Sequence, residues 1–164
     1  MNELREAADV GELIQYIVIK IDDEQYGINI KFIDNIVRMQ QITRVPQVDE
    51  YLKGVINIRG EIVPVMSVRM KMGLSNDEIT NKSRIIILKT EAGDLVGIIV
   101  DQVNQVLTID SNNIEKMRYD DKKGKSNATF VSGVGHYEGG LVSILDLEAV
   151  VSDKEAKEKA SNAS

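Results

Sequence analysis

The chain offers few groups able to make or break a covalent bond. Its single histidine, His136, sits beside Tyr137 and near Gly139-Gly140. General acid–base catalysis needs a titratable group held against a partner, and a lone histidine in a strand-like run reads as a surface or edge-strand residue. There is no cysteine, which removes disulfides, thiolate metal sites and thiol nucleophiles and fits a reducing compartment. Asp22-Asp23-Glu24 and Asp120-Asp121 could hold a hard cation, but adjacent carboxylates at a polar turn are ordinarily solvated. Gly-x-Ser-x-Gly, His-Glu-x-x-His, a phosphate-cradling glycine loop and an EF-hand loop are all missing. The sequence thus points to no enzyme, no cofactor and no metal. What remains is one cation in an unexpected place, Arg59, within Gly54-Val55-Ile56-Asn57-Ile58-Arg59-Gly60-Glu61-Ile62-Val63-Pro64-Val65. A guanidinium presents several donors in a rigid fork, so the chemistry it offers is recognition. Spacing alone also allows a plainer reading, a solvated charge at a turn.

The runs around Arg59 are rich in β-branched residues, and Gly60 can take the positive φ of a tight turn, so they read as a hairpin with Arg59 at its tip. Pro64 cannot donate to a ladder, which predicts that the second strand is an edge or is broken there. About ten short strand-like runs follow one another from residue 14 onward: 14–21, 25–30, 36–39, 54–58, 61–65, 84–89, 95–100, 105–109, 130–137 and 141–145. Short helical signals fall at 31–35, 66–72, 101–104 and 145–151. The architecture is predicted to be mainly β.

An internal echo organises these runs. Residues 26–37 are matched by 96–107, glycine on glycine at Gly27 and Gly97, with Ile28, Ile30, Ile33 and Ile36 answered by Ile98, Val100, Val103 and Val106. Residues 54–63 are echoed in the same order by 133–142. Two units of about five strands each curl and close more readily than they extend one open sheet, which predicts two pseudo-symmetric five-stranded β-barrel subdomains with short helices. The expected division is a lead-in at 1–13, a first barrel at about 14–80, a second at about 81–151 and a polar tail at 152–164. Such small barrels have thin cores, so each should lean on the other through an apolar seam. Ile30, Ile33 and Ile36 fall at helical spacing, and Val100, Val103 and Val106 repeat the stripe; paired about a pseudo-twofold axis they predict an apolar groove between barrels.

At 164 residues the chain suffices for one ordinary domain or two very small ones, and its net charge of −6 argues against phosphate-backbone binding. The one basic cluster, Lys122-Lys123-Gly124-Lys125, follows two aspartates in a polar stretch and reads as a solvated loop. Scarce aromatics remove the stacking platform of single-strand binders. No apolar run approaches the roughly 18 residues of a membrane span, and the N-terminus lacks signal-peptide order. A soluble intracellular protein with no nucleic-acid partner is expected.

The quoted hairpin segment, together with Ile42-Thr43-Arg44-Val45-Pro46 and Gly97-Ile98-Ile99-Val100-Asp101, resembles the CheW family of chemotaxis coupling proteins over about residues 14–151. The resemblance implies a non-catalytic adaptor of two five-stranded barrels, similar to the regulatory domain of the histidine kinase CheA. It implies two partners: cytoplasmic tips of methyl-accepting chemotaxis receptors, taken as helices into the inter-barrel groove, and CheA, met barrel to barrel. It implies a cytoplasmic location, recruited to receptor arrays at the inner face of the membrane without insertion. The implied partner-binding residues are Ile30, Ile33, Ile36, Gly54, Arg59, Gly60, Val103 and Val106. Arg59 aligns with the arginine of the family's Asn-Leu-Arg-Gly hairpin. Many relatives carry glutamate where this chain has Asn35, which cannot form an ion pair, so Asp34 or a partner remains for Arg59. Other readings stay open: a coupling domain detached from a regulator with a receiver domain, a small-molecule protein using the inter-barrel cleft, and a structural homo-oligomer.

Overall fold

The computed structural model describes residues 11–117 and 130–152. The Asp120-Asp121 pair, the basic cluster, most of the lead-in and nearly all of the tail lie outside them. The described chain forms β1 (Leu13–Ile21), β2 (Glu24–Asn29), a 3-10 turn (Ile30–Phe32), β3 (Ile33–Arg38), β4 (Leu52–Ile58), β5 (Glu61–Ser67), a helix (Val68–Lys71), β6 (Arg84–Lys89), β7 (Leu95–Val100), β8 (Gln102–Asp110), a second 3-10 turn (Ser111–Asn113), β9 (Ile114–Lys116), β10 (Val131–Tyr137), β11 (Gly140–Leu145) and a helix (Leu147–Val151). The mainly β, two-unit architecture is as expected. The helical signals at 31–35 and 101–104 are not realised: a single 3-10 turn precedes β3, and β8 begins at Gln102. Each segment carries one β-branched residue, Ile33 or Val103, with the backbone-competing Asp34 and Asn35 or Asp101 and Asn104, which favour strands and turns over helix.

Two sheets result, one of six strands in the order β8-β1-β2-β11-β10-β9 and one of five in the order β3-β6-β7-β5-β4. The outermost strands of a sheet do not pair with each other, so neither unit is a closed barrel. The sheets also do not divide the chain near residue 80. Residues 33–100 build the five-stranded sheet, while β1 pairs with β8 and β2 with β11, both of the other half. The two sequence repeats are real, but each unit is assembled by exchange between them. The reason lies in the 26–37 and 96–107 echo, since these segments are the crossovers: β2 leads into β3 from the six-stranded sheet, and β7 leads into β8 from the five-stranded one.

The repeat extends to irregularities. A bulge at Asp34 in β3, between the Ile33 to Leu88 and Asn35 to Ile87 pairings, is matched by one at Asn104 in β8. A bulge at Lys53 in β4 is matched by one at Ser132 in β10. The amide of Ser67 donates to the Tyr51 carbonyl at 2.7 Å, and that of Asp146 to Phe130 at 2.8 Å. Ser67 and Asp146 then cap the two helices, their side chains accepting from Met70 and Ala149 amides at 3.2 Å each.

Pro64 lies in β5, an interior strand between β7 and β4 rather than an edge. It is tolerated because the parallel ladder to β7 begins one residue later, at Val65 opposite Gly97.

Burial follows the two-unit plan. Ile56, Val63, Val65, Ile85, Ile87 and Ile99 fill the five-stranded unit, and Tyr16, Val18, Ile109, Val142 and Ile144 the six-stranded one. The largest cluster is the seam, where Ile17, Ile19, Ile21, Tyr26 and Ile28 meet Met66, Val68, Ile86, Leu88, Ile98 and Val100. Small cores bury little surface by themselves, and the seam adds the largest shared apolar cluster.

Candidate functional site

Arg59 occupies the first of two residues between Ile58 and Glu61 in the β4–β5 hairpin. Its φ is +52 and that of Gly60 is +84, the pairing of positive angles found in type I′ turns that match strand twist. Glycine or asparagine takes such a position cheaply, whereas a long side chain costs about 1–2 kcal/mol there. Asn57 steadies the turn, its Oδ1 accepting from the Gly60 amide at 2.9 Å. The strained Arg59 is nevertheless 74% exposed, and its Nη2 meets Asp34 Oδ2 at 3.2 Å. Asp34 is the bulged residue of β3, and bulges re-aim side chains. The ion pair open in the sequence is thus made with Asp34, while the exposed Asn35 bonds its neighbouring backbone, its Oδ1 accepting from the Ile36 amide.

The same bulge explains the stripe. Residues three apart in a regular strand face opposite sides, but one inserted residue restores a common face. Ile33 and Ile36 therefore both pack, half-buried, against the seam, while Val37 packs into the five-stranded unit. Val103, placed by the Asn104 bulge, packs against the seam as well. Ile30, in the 3-10 turn, is 38% exposed and Val106 53%. The spacing that suggested a helix is produced by bulged strands, which leave Ile33, Ile36 and Val103 partly covered and Ile30 and Val106 exposed.

Gly54 is differently employed. It is buried with φ +143, and an added Cβ would collide with the Thr43 carbonyl oxygen. Thr43 and Val55 exchange backbone hydrogen bonds at 2.8 and 2.9 Å. The close backbone approach this glycine permits is made by its own chain, so Gly54 shapes the hairpin and offers no surface to a partner. Gly60, by contrast, has open space around its α-carbon.

Two features escaped the sequence reading. Ile62 and Leu141, equivalent in the echo, are 62% and 63% exposed on the two hairpins; the echo itself was the signal that could have paired them. Arg69 is buried in the helix after β5, where it donates to Asp101 at 3.0 Å, Asp22 at 3.1 Å and the Ser75 hydroxyl at 3.3 Å. Asp101 Oδ2 also accepts from the Asp22 amide at 2.7 Å. Arg69 thereby ties the β1–β2 turn to the β7–β8 crossover, and nothing in local spacing announces it. At the other end of the seam lies a cavity of 510 Å³ between the units, lined by Tyr16, Phe32, Leu88, Ala92, Leu145 and Leu147 among others.

Among the described residues no cluster of His, Asp or Glu has metal-holding geometry. His136 is half-exposed, 3.4 Å from Glu115, with no orienting third group in that pair. No helix among the described residues is long and apolar enough to cross a membrane. The arrangement sets an exposed guanidinium on a tight turn beside partly covered isoleucines and valines.

Residues 15–155 match the CheW-like domain family. A chemotaxis protein CheW of Bacillus subtilis is 36% identical over 146 residues, covering 88% of this chain and 90% of that protein. One from Thermotoga maritima is 30% identical, covering 94% and 99%. Among solved structures, the scaffolding protein TtCheW of Thermoanaerobacter tengcongensis is similar with a TM-score of 0.75 and 29% identity, covering 86% of this chain and 89% of that one.

Proposed function

This chain belongs to the CheW-like domain family, and from that premise we propose that it is a non-catalytic scaffold coupling methyl-accepting chemotaxis receptors to the histidine kinase CheA. Its similarity to proteins named for chemotaxis and scaffolding supports the broad role. The observation that carries the specific reading is Arg59: a side chain held in left-handed backbone, three-quarters exposed and anchored by a bulge-aimed aspartate. Strain of this kind persists where the surroundings impose it, and it clusters at functional positions. A pre-positioned guanidinium can cap carbonyls at a helix end or pair with a carboxylate, and such anchors in interfaces are worth about 2 kcal/mol or more.

In this reading the receptor's helical tip lies along Ile30, Ile33, Ile36, Val103 and Val106, with Arg59 and Gly60 at one edge. Helix-in-groove recognition uses such apolar anchors with a polar rim. CheA's homologous domain meets the exposed hairpin faces, where Ile62 and Leu141 supply equivalent apolar contacts. The protein acts in the cytoplasm, at arrays beneath the membrane.

The test is reconstitution of purified chain, CheA and receptor fragments, with kinase autophosphorylation followed with and without the chain. Arg59→Glu should abolish receptor-dependent control while its denaturation midpoint stays near that of the parent. Full coupling by a folded Arg59→Glu protein would reject the role given to this residue.

A further inference from the structure

The two ends of the seam are built alike and finished differently. At the first, the chain leaves the helix Val68–Lys71 through Gly73, whose φ is +79, and the Leu74 amide returns to the Arg69 carbonyl at 2.8 Å. Leu74 then packs on the seam, the Ser75 hydroxyl accepts from Arg69, and Asn76 accepts from Lys53 at 2.7 Å. Residues 74–76 thus lie across the groove between the units. In the second repeat the counterparts of Lys53, Arg69 and Met72 are Ser132, Glu148 and Val151, and all three line the 510 Å³ cavity. The helix there ends at Ser152 in extended backbone, with φ −67 and ψ 133. The residue at the sequence position of Leu74 is Asp153.

We propose that this cavity is a docking site for a short segment of another protein, one presenting a leucine- or methionine-sized side chain beside a basic residue. The molecule supplies its own template: the equivalent place in the first repeat is filled by Leu74, with the Arg69 guanidinium beside it. The chain's own tail does not fit the role, since residues 153–164 contain no apolar residue larger than alanine. Charge points the same way. Glu91, Asp146 and Glu148 stand at the cavity against a single Lys89, and Glu148 replaces the cation that Arg69 provides at the other end. Burial among Tyr16, Phe32, Leu88 and Leu147 suits one aliphatic side chain, and the volume falls in the range of ligand sites.

The full chain, isotopically labelled, is titrated with the synthetic peptide Arg-Met-Lys-Met-Gly-Leu-Ser-Asn, which is its own residues 69–76. Saturable amide shifts are expected at Ala92, Ser132 and Leu147. Affinity should fall at least tenfold when the peptide carries Leu74→Asp, and several-fold when the protein carries Glu148→Lys. Ala92→Trp, at an exposed turn position on the rim, should block the site while the remaining spectrum shows an intact fold. Absence of saturable shifts, equal affinity for the Leu74→Asp peptide, or shifts confined to other faces would overturn the proposal. Saturation by anilinonaphthalene sulfonate that the peptide fails to displace would also overturn it and mark a small-molecule site. Arg59→Glu should leave this titration unchanged, so the site stands or falls apart from receptor coupling.

Discussion

The first repeat invests its charge where the second leaves room. Arg59 on the β4–β5 turn corresponds to Glu138 on the β10–β11 turn, and only the former residue has positive φ. Asp34 in the first bulge corresponds to Asn104 in the second, so the ion pair across one hairpin has no counterpart across the other. Arg69, closing one end of the seam, corresponds to Glu148 beside an open cavity at the other. The backbone plan is nearly the same in both, down to the bulges. Duplication therefore supplied geometry, and a few side chains decided which copy is braced and which is available.

The difference is broken most severely at Arg69. Arg69→Met leaves Asp101 and the half-exposed Asp22 without their cation and removes three charge-assisted hydrogen bonds of a buried guanidinium, a loss on the order of 3 kcal/mol. Glu148→Ala at the equivalent position should change stability by less than about 0.5 kcal/mol. Urea denaturation of both variants measures the contrast, and equal losses would mean that the braced end is no more braced than the open one.

The glycine pair comes next. Gly54→Ala combines positive φ with a collision against the Thr43 carbonyl, and we expect a loss on the order of 2–3 kcal/mol. Gly133→Ala meets the Glu115 carbonyl at 2.6 Å, but Glu115 belongs to a three-residue edge strand that can shift. Its loss should be the smaller by chemical denaturation.

A subtler variant separates strain from stability at the tip. Arg59→Gly relieves left-handed backbone, worth about 1 kcal/mol, and loses an exposed ion pair worth about 0.2–1 kcal/mol. Stability should stay within roughly 1 kcal/mol of the parent, while kinase coupling is lost. A large drop in melting temperature would show that the arginine serves the fold.

The smallest effect is expected from tyrosine titration, which distinguishes the sheets. Burial raises the pKa of Tyr16 above the ordinary value of 10.0. Burial, followed by the Glu24 and Asp22 carboxylates, raises that of Tyr26. Both lie in the six-stranded sheet. Above pH 10 the unfolded chain releases protons that the folded chain retains, so stability falls as pH rises through that range and is unaffected by these groups below it. Melting temperatures at pH 8 and pH 11 should show this, with a smaller alkaline shift in Tyr16→Phe.

Much of the plan was legible because its signals are local. The hairpin around Gly60, the Asp22-Asp23 turn, the strands at 84–89 and 95–100 and the echo between halves all follow from side-chain alternation and turn chemistry. Apolar spacing at Ile30, Ile33 and Ile36 was visible but pointed to a helix, because a bulged strand and a helical turn place residues three apart on one face alike. Gly54 was named as a partner contact by the resemblance, and nothing local showed that the Thr43 carbonyl of its own chain would fill the space beside it.

By itself the sequence determined that the protein is a duplicated β structure with a candidate recognition arginine at a tight turn, since propensity, periodicity and glycine placement act over a few residues. Only tertiary structure decided that each unit borrows strands from the other half, that Asp34 meets Arg59, and that Arg69 closes one end of the seam while the other stays open. Those outcomes depend on which segments pair across long sequence separations. That choice is made by burying the shared seam, and no short stretch of the chain encodes it.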